Sequence, residues 1–347
     1  MLYHLYTTGD LIRGMIMKHE RRLNRQVVKE MATSIKDSIK EQADCGQSRS
    51  KKAALVELSL QLSGFKQMLH DPQKLHQELA KQADLARHPF VLPSDVETQN
   101  GVIRKKIAGV PVVVLNANPF SDKIIIFLCG GAYFLQPTKD HWHFLQRLAL
   151  QTNAQIMVPQ YALSPEHHFE EAYDQLLAVY TAIYQEQPVS NITLMGDSAG
   201  GGLAAGFCEW LASQSLPQPR NLVLISPWLD LTLHNPLIAK YADKDATLDV
   251  TGLRTVGQLW AGTTELNDYR LSPINGPVND LRNVLLFVGT REIMLPDVMK
   301  FVQRLRQADV HVEYHIGREL YHEYPLTPIP EAVTAIEQIN RFCFQQK

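Results

Sequence analysis

Gly196-Asp197-Ser198-Ala199-Gly200 sets a serine between glycines at the spacing G-x-S-x-G. Serine is a poor nucleophile at neutral pH. It needs a base, and in a nucleophile elbow, the motif this spacing fits, it sits exposed on a tight strand-to-helix turn. The flanks fit such a turn. Ile192-Thr193-Leu194-Met195 reads as a short buried strand, and Gly201, Gly202, Leu203, Ala204, Ala205 and Gly206 read as the opening of a helix. The glycines let the backbone bend without a Cβ clash, and the small residues let the helix lie close to a sheet.

Acyl transfer, the chemistry such a serine serves, also needs donors for an oxyanion. Ile124–Leu128 reads as another strand and runs into Cys129-Gly130-Gly131-Ala132-Tyr133. Paired glycines there would expose the N–H groups of Gly130 and Gly131, and the N–H of Ala199 would add a further donor. Thirteen histidines compete to be the base, and His322, in Tyr321-His322-Glu323-Tyr324-Pro325-Leu326, follows the last expected strand. The acid that orients it should follow an earlier strand. Val284–Gly289 leads into Thr290-Arg291-Glu292-Ile293-Met294-Leu295-Pro296-Asp297. Glu292 lies nearer the strand end and is favoured, with Asp297 its rival.

Other reactive side chains read more plainly. His141 and His143 form H-x-H beside Asp140, but Trp142 and its flanks suggest a helix. Residues two apart on a helix point to different faces, which disfavours a metal site. His167 and His168 read as surface or supporting residues. Cys129, next to Phe127 and Leu128, reads as an inert buried thiol, and Cys208 as core. The chemistry needs no metal and no organic cofactor.

The elements that would position these residues form an alternating series. Val102–Ile107 and Val110–Asn116, about Ala108-Gly109, read as an antiparallel hairpin. Further strand-like runs are Lys123–Cys129, Gln155–Pro159, Asn191–Met195, Asn221–Ser226, Val284–Gly289 and His311–Ile316, with helix-like stretches between them. Strands alternating with helices predict an α/β fold, a mostly parallel sheet with helices on both faces. Ligands of such sheets bind beyond the strands' carboxyl ends, where the candidate residues fall. Residues 1–95 differ: Arg21–Asp44, Lys51–Leu69 and Pro72–Arg87 read as amphipathic helices, broken near Gly46–Ser50. In the third, Leu75, Leu79 and Leu85 are expected to mark one face. The division is a helical extension or cap over 1–95 and a single catalytic unit over 96–347.

Composition bounds the alternatives. The 347 residues carry a net charge of −2 with no long run of one sign, unlike a nucleic-acid binder. Four cysteines without C-x-x-C spacing argue against a zinc site or a disulfide framework and suit a reducing compartment. No apolar stretch reaches the length of a membrane span. Asp10, Arg13, Lys18, Glu20 and Arg21 interrupt the N-terminus, so it lacks a signal-peptide core. The expectation is a soluble cytoplasmic protein, in which an exposed edge strand or helix could pair subunits into a homo-oligomer.

Together these residues resemble the hormone-sensitive-lipase-like branch of the α/β-hydrolases, in particular its bacterial acetyl-esterase-type members. That branch carries H-G-G-G/A and an aromatic residue, here Cys129 to Tyr133. It carries D-Y-x-L-A-P-E-x-x-F-P, approximated by Gln160 to Glu170. Its G-D-S-A-G-G matches Gly196 to Gly201, and its G-x-x-D-x-L-x-x-D corresponds to Gly289 to Asp297. The order Ser, acid, His is the hydrolase order. The motifs span about Lys123 to Pro330. Cys129 stands where the family usually has His, and Glu292 where it usually has Asp. The resemblance implies the α/β-hydrolase fold with a helical N-terminal cap and a triad of Ser198, Glu292 and His322. It implies a serine carboxylesterase acting on short-to-medium acyl esters, a small-molecule substrate, through an acyl-enzyme. Tyr133, Tyr161 and Trp228 are candidate pocket walls or core residues. Amide or peptide hydrolysis on the same triad, and ligand binding without catalysis, are the alternatives.

Overall fold

Runs of β-branched and large apolar residues form the strands expected of them, and the eight strands among the described residues join one sheet. In the computed structural model, residues 25–40, 49–118 and 120–345 are described. Cys45 and the ends of the Arg21–Asp44 segment lie outside them. Residues 25–40 form one helix, α1. It belongs to a unit spanning Met1–Gly46, whereas Gln47–Lys347 forms a second unit, so position 95/96 falls inside the latter.

Lys51–Leu69 is two helices rather than one. α2 (Lys51–Leu62) and α3 (Phe65–His70) are separated at Ser63-Gly64, where Gly64 adopts φ 77°. α4 (Pro72–Ala86) starts at Asp71, whose carboxylate accepts the Gln73 and Lys74 N–H groups. Leu75 and Leu79 are buried as expected, but Leu85 is 41% exposed and Ala83 takes its place. Six residues past Leu79 lies about 120° around the helix, so Leu85 leaves the buried stripe. A short helix, α5 (Ser94–Glu97), leads to the sheet.

β1 (Ile103–Ile107) and β2 (Val110–Leu115) form the antiparallel hairpin, with positive φ at Ala108 and Gly109 as a two-residue primed turn requires. β3 (Ile124–Leu128), β4 (Gln155–Pro159), β5 (Ile192–Asp197), β6 (Asn221–Ile225), β7 (Asn283–Gly289) and β8 (His311–Gly317) are mutually parallel. The order is β1-β2-β4-β3-β5-β6-β7-β8. Every residue of β3 is buried, which in a sheet covered on both faces replaces alternation by a continuous apolar run. α6 (Lys139–Thr152) and α12 (Pro330–Phe344) bury Trp142, Phe144, Ile336 and Phe342 in one core with Ile125, Phe127, Met195 and Phe287. Each large side chain so buried contributes about 1.5–3 kcal/mol. The remaining long helices are α7 (Phe169–Glu186), α8 (Ser198–Ser213), α10 (Val250–Ala261) and α11 (Leu295–Gln307), with the short α9 at Ala239–Ala242.

Two features set up the site. After β3 the chain steps to β4 on one side, then returns to β5 on the other, and this reversal opens a crevice at the carboxyl ends of β3 and β5. α8 then packs tightly on the sheet through its small residues. A Cβ on Gly200 would overlap the carbonyl oxygen of Leu128, so no larger residue fits there.

Candidate active site

β5 ends at Asp197, and Ser198 turns the chain into α8 at φ 48°. A left-handed non-glycine residue costs about 1–2 kcal/mol, and here the turn aims the hydroxyl into a cleft. The Ser198 hydroxyl lies 2.9 Å from His322 Nε2, to which it donates. His322 Nδ1–H donates in turn to Glu292 Oε2 at 2.7 Å. Glu292 Oε1 accepts the Gly289 N–H at 2.5 Å and the Ser226 hydroxyl at 2.8 Å. The longer side chain therefore reaches back to its own strand end while its second oxygen faces the imidazole. Ser226 also accepts the Glu323 N–H at 3.1 Å, joining the acid loop to the histidine loop.

The structure brings Glu292, not Asp297, to His322. Asp297 is buried in the first turn of α11, where it accepts from Asn235 Nδ2 at 2.7 Å, and burial pushes its carboxyl up to about 7. Asp245, which sequence reasoning passed over, holds the acid loop from behind. Its Oδ2 accepts the Ile293 N–H at 2.9 Å and its Oδ1 the Leu248 N–H at 2.8 Å. Burial pulls the His322 imidazole down, and the carboxyl groups of Glu323, when ionised, and of Glu292 push it up, with a net upward shift.

The oxyanion loop differs from expectation in its donors. The Gly130 N–H is occupied, donating to Asp197 Oδ1 at 3.0 Å. It is therefore withdrawn from the expected set. The next two residues turn through φ 119° at Gly131 and φ 50° at Ala132, and both line the cleft with Ser198. Their N–H groups have no partner among the described residues. With Ala199, in the unpaired first turn of α8, the available donors are Gly131, Ala132 and Ala199. The Cys129 side chain is buried, which pushes its thiol well above the usual range and leaves it inert.

Asp197 has further partners. His141 Nε2–H donates to Asp197 Oδ2 at 3.1 Å, and its Nδ1 receives the Thr138 N–H at 3.1 Å, which selects the Nε2–H tautomer. Burial works against an imidazolium at His141 and Asp197 works for it, with a net upward shift. His143 instead faces solvent and Asp95, so the H-x-H pair does point two ways. His167 pairs with Glu171 at the surface, and His168 with the Leu259 carbonyl.

The three aromatic residues considered as pocket walls lie outside the cleft lining. Tyr133 stacks on Trp260 at 4.4 Å and Trp228 at 5.7 Å, and the Tyr161 hydroxyl donates to the Cys129 carbonyl at 2.6 Å. They support the oxyanion loop from beneath, because the positive φ angles after Gly130 turn Tyr133 inward. The cleft, about 260 Å³, is walled by Leu60 and Phe65 from the α2–α3 region together with Leu135, Leu248 and Leu326.

Comparison with known proteins agrees with this architecture. Residues 125–326 match a family described as having the alpha/beta hydrolase fold. An esterase of Acinetobacter venetianus is 31% identical over 241 residues, covering 68% of this chain and 80% of that protein. An acetyl-hydrolase of Streptomyces hygroscopicus is 28% identical over 225 residues, covering 63% and 75%. The crystal structure of a hormone-sensitive lipase from a metagenome library superposes with a TM-score of 0.72 at 25% identity, covering 85% of this chain and 99% of that one.

Proposed function

We propose, since the chain belongs to the α/β-hydrolase fold family and is a serine ester hydrolase of its hormone-sensitive-lipase-like branch, that it cleaves short- to medium-chain acyl esters through an acyl-enzyme on Ser198. The observation that carries this reading is the unbroken chain from Ser198 through His322 to Glu292, at 2.9 and 2.7 Å, beside three N–H groups without a partner among the described residues.

In this mechanism Ser198 Oγ attacks the ester carbonyl as His322 Nε2 takes its proton. The tetrahedral oxyanion receives the N–H groups of Gly131, Ala132 and Ala199, each such donor lowering the barrier by roughly 3–4 kcal/mol. Collapse expels the alcohol, which leaves with the proton from His322. Water, deprotonated by the same nitrogen, then attacks the acyl carbon, the bond to Ser198 Oγ breaks, and His322 returns the proton to Ser198 as the acid leaves. Glu292 holds the Nδ1–H tautomer and stabilises the imidazolium.

The size of the cleft supports the substrate class. At about 260 Å³ it falls below the roughly 300–1,000 Å³ of sites for drug-sized ligands. Leu60, Ser63 and Phe65 close one side of it, so the N-terminal helices act as a cap that limits acyl length. The name of the Streptomyces relative, acetyl-hydrolase, points the same way. Among the described residues the lining includes Asp140 and Glu323 and no Lys or Arg, so it offers no Lys or Arg side chain to the carboxylate terminus of a peptide. Among the described residues no helix is long and apolar enough to cross a membrane. The free, buried Cys129, Cys208 and Cys343 suit a reducing compartment such as the cytoplasm.

p-Nitrophenyl acetate, butyrate and octanoate, tested on the wild type and Ser198→Ala, examine this reading. Turnover that falls with acyl length and requires Ser198 is expected, with stoichiometric phosphonate labelling. Neither turnover nor labelling at Ser198 would reject it.

A further inference from the structure

Glu323 has no step in the proton relay, yet its side chain turns into the cleft beside it. It lines the cleft with Ser198, its Oε1 lies 3.6 Å from His322 Nε2, and a Cβ placed on Gly130 would meet both Glu323 Oε1 and Asp197 Oδ2, so the two carboxyl groups face each other across that glycine. A backbone φ of 58°, disfavoured for a glutamate, holds it there. Two carboxyl groups in hydrogen-bond contact share one proton rather than both ionising. Asp197 already accepts the Gly130 N–H and the His141 Nε2–H, so Asp197 is the charged member and Glu323 holds the proton.

We propose that Glu323 is a positioning residue that must stay protonated through the catalytic cycle. Its O–H completes the donors that fix Asp197 and, through Gly130, the oxyanion loop. Its lack of charge leaves His322 Nε2 free to take the Ser198 proton. The proposal rests on the Ser198–His322 reading above.

The surroundings favour this state. Glu323 is faced by Asp197 from the end of β5, His141 from α6, the Cys129 thiol from the loop after β3, and His322 beside it. Asp140 lies at the cleft rim, with Glu292 and Asp245 against His322. Burial, then the Asp197 carboxylate, push Glu323 up to about 8, whereas His141, Glu323 and the Gly130 N–H keep Asp197 below its ordinary value against its own burial. An ionised Glu323 would act twice. It would repel Asp197, loosening the loop, and it would hold the His322 imidazolium, which cannot accept a proton.

The test compares wild type, Glu323→Gln and Glu323→Ala by kcat and kcat/KM for p-nitrophenyl butyrate from pH 5 to 10. The His322 imidazole is followed in parallel by NMR, and circular dichroism checks the fold. Wild-type activity is expected to decline above about pH 8. The glutamine variant should lose that decline and leave the His322 midpoint unchanged, because a protonated Glu323 and a glutamine are equally uncharged. The alanine variant should lose about tenfold or more in kcat with KM little changed, a loss that glutamine largely restores. An alkaline decline that persists in Glu323→Gln, or a His322 midpoint that falls in it by a pH unit or more, would overturn the proposal. Absence of Ser198-dependent turnover in the wild type would instead reject the esterase reading, and the NMR midpoint would then decide the role of Glu323 alone.

Discussion

The Gly130 N–H donates to Asp197 Oδ1 at 3.0 Å, so the residue before the nucleophile also holds the first glycine of the oxyanion loop. β3 and β5 are neighbours, with Leu128 paired to Gly196, and this side-chain bond ties the loop after β3 to the last residue of β5, just beyond their final paired residues. Nucleophile and oxyanion donors are thereby fixed to each other rather than separately to the sheet. A rigid relation of this kind suits electrostatic stabilisation, which depends on donors already in place when charge develops.

Asp197→Asn tests that relation. The amide keeps one carbonyl oxygen, which can serve Gly130 or His141 but not both. The expected result is a fall in kcat of roughly 10- to 100-fold with KM within a few-fold, in line with disturbed oxyanion donors. Phosphonate labelling of Ser198 should slow by a similar factor. Unaltered kcat and labelling would show that the loop is held by other means.

Glu292→Gln should lower kcat by about 10³- to 10⁴-fold, because glutamine neither fixes the Nδ1–H tautomer nor balances the imidazolium. Glu292→Asp shortens the side chain by one methylene. The shorter acid must then give up His322 or its bonds to Gly289 and Ser226, and an intermediate loss of about tenfold is expected. Single-turnover kinetics with p-nitrophenyl acetate would separate these losses from slow product release.

Much of this arrangement was legible in the sequence, for reasons visible in particular residues. The strands could be read because each is an apolar run between helix-like stretches. Ser198 could be read because its flanks meet the steric demands of a sharp turn. Gly130 could not be read correctly as occupied: its partner lies 67 positions away, and the bond depends on the direction in which the loop leaves β3. His141 was hidden for a related reason, since spacing along α6 gives its face but not what that face meets. Tyr133, Tyr161 and Trp228 sit next to motif residues, and adjacency alone does not tell whether a side chain beyond a strand end turns into the cleft or beneath it. The Ser63-Gly64 break was missed because apolar residues continue on both sides of it.

Phe65→Ala should widen the cleft from the cap side, because Phe65 and Leu60 line it together with Ser198 and His322. Removing an aromatic wall should raise kcat/KM for the octanoate ester relative to the acetate ester by roughly tenfold, the scale on which pocket size discriminates acyl chains. The two esters measured on one enzyme preparation give the ratio directly. A ratio equal to that of the wild type would remove α2 and α3 from any role in acyl selection.

Asp297 gives a prediction about stability rather than turnover. Its carboxyl is 2% exposed, and burial pushes it up to about 7, with Asp230 adding to the rise and Asn235 opposing it. An unfolded aspartate titrates near 3.9. Between about pH 4 and 7 the folded state therefore binds more protons at this site than the unfolded state, and stability must fall as pH rises through that window. Above it the folded protein carries a poorly solvated carboxylate. Asp297→Asn keeps a carbonyl oxygen for the Asn235 amide and has no charge to bury, and since Asp297 does not touch His322 its esterase activity should stay within a few-fold of wild type. Urea denaturation at pH 5 and pH 8 should show a smaller loss of stability in the variant than in the wild type, by about 2–4 kcal/mol. Equal losses in the two proteins would mean that Asp297 is solvated in the folded state, and a large fall in kcat would mean that it, rather than Glu292, is the acid of the relay.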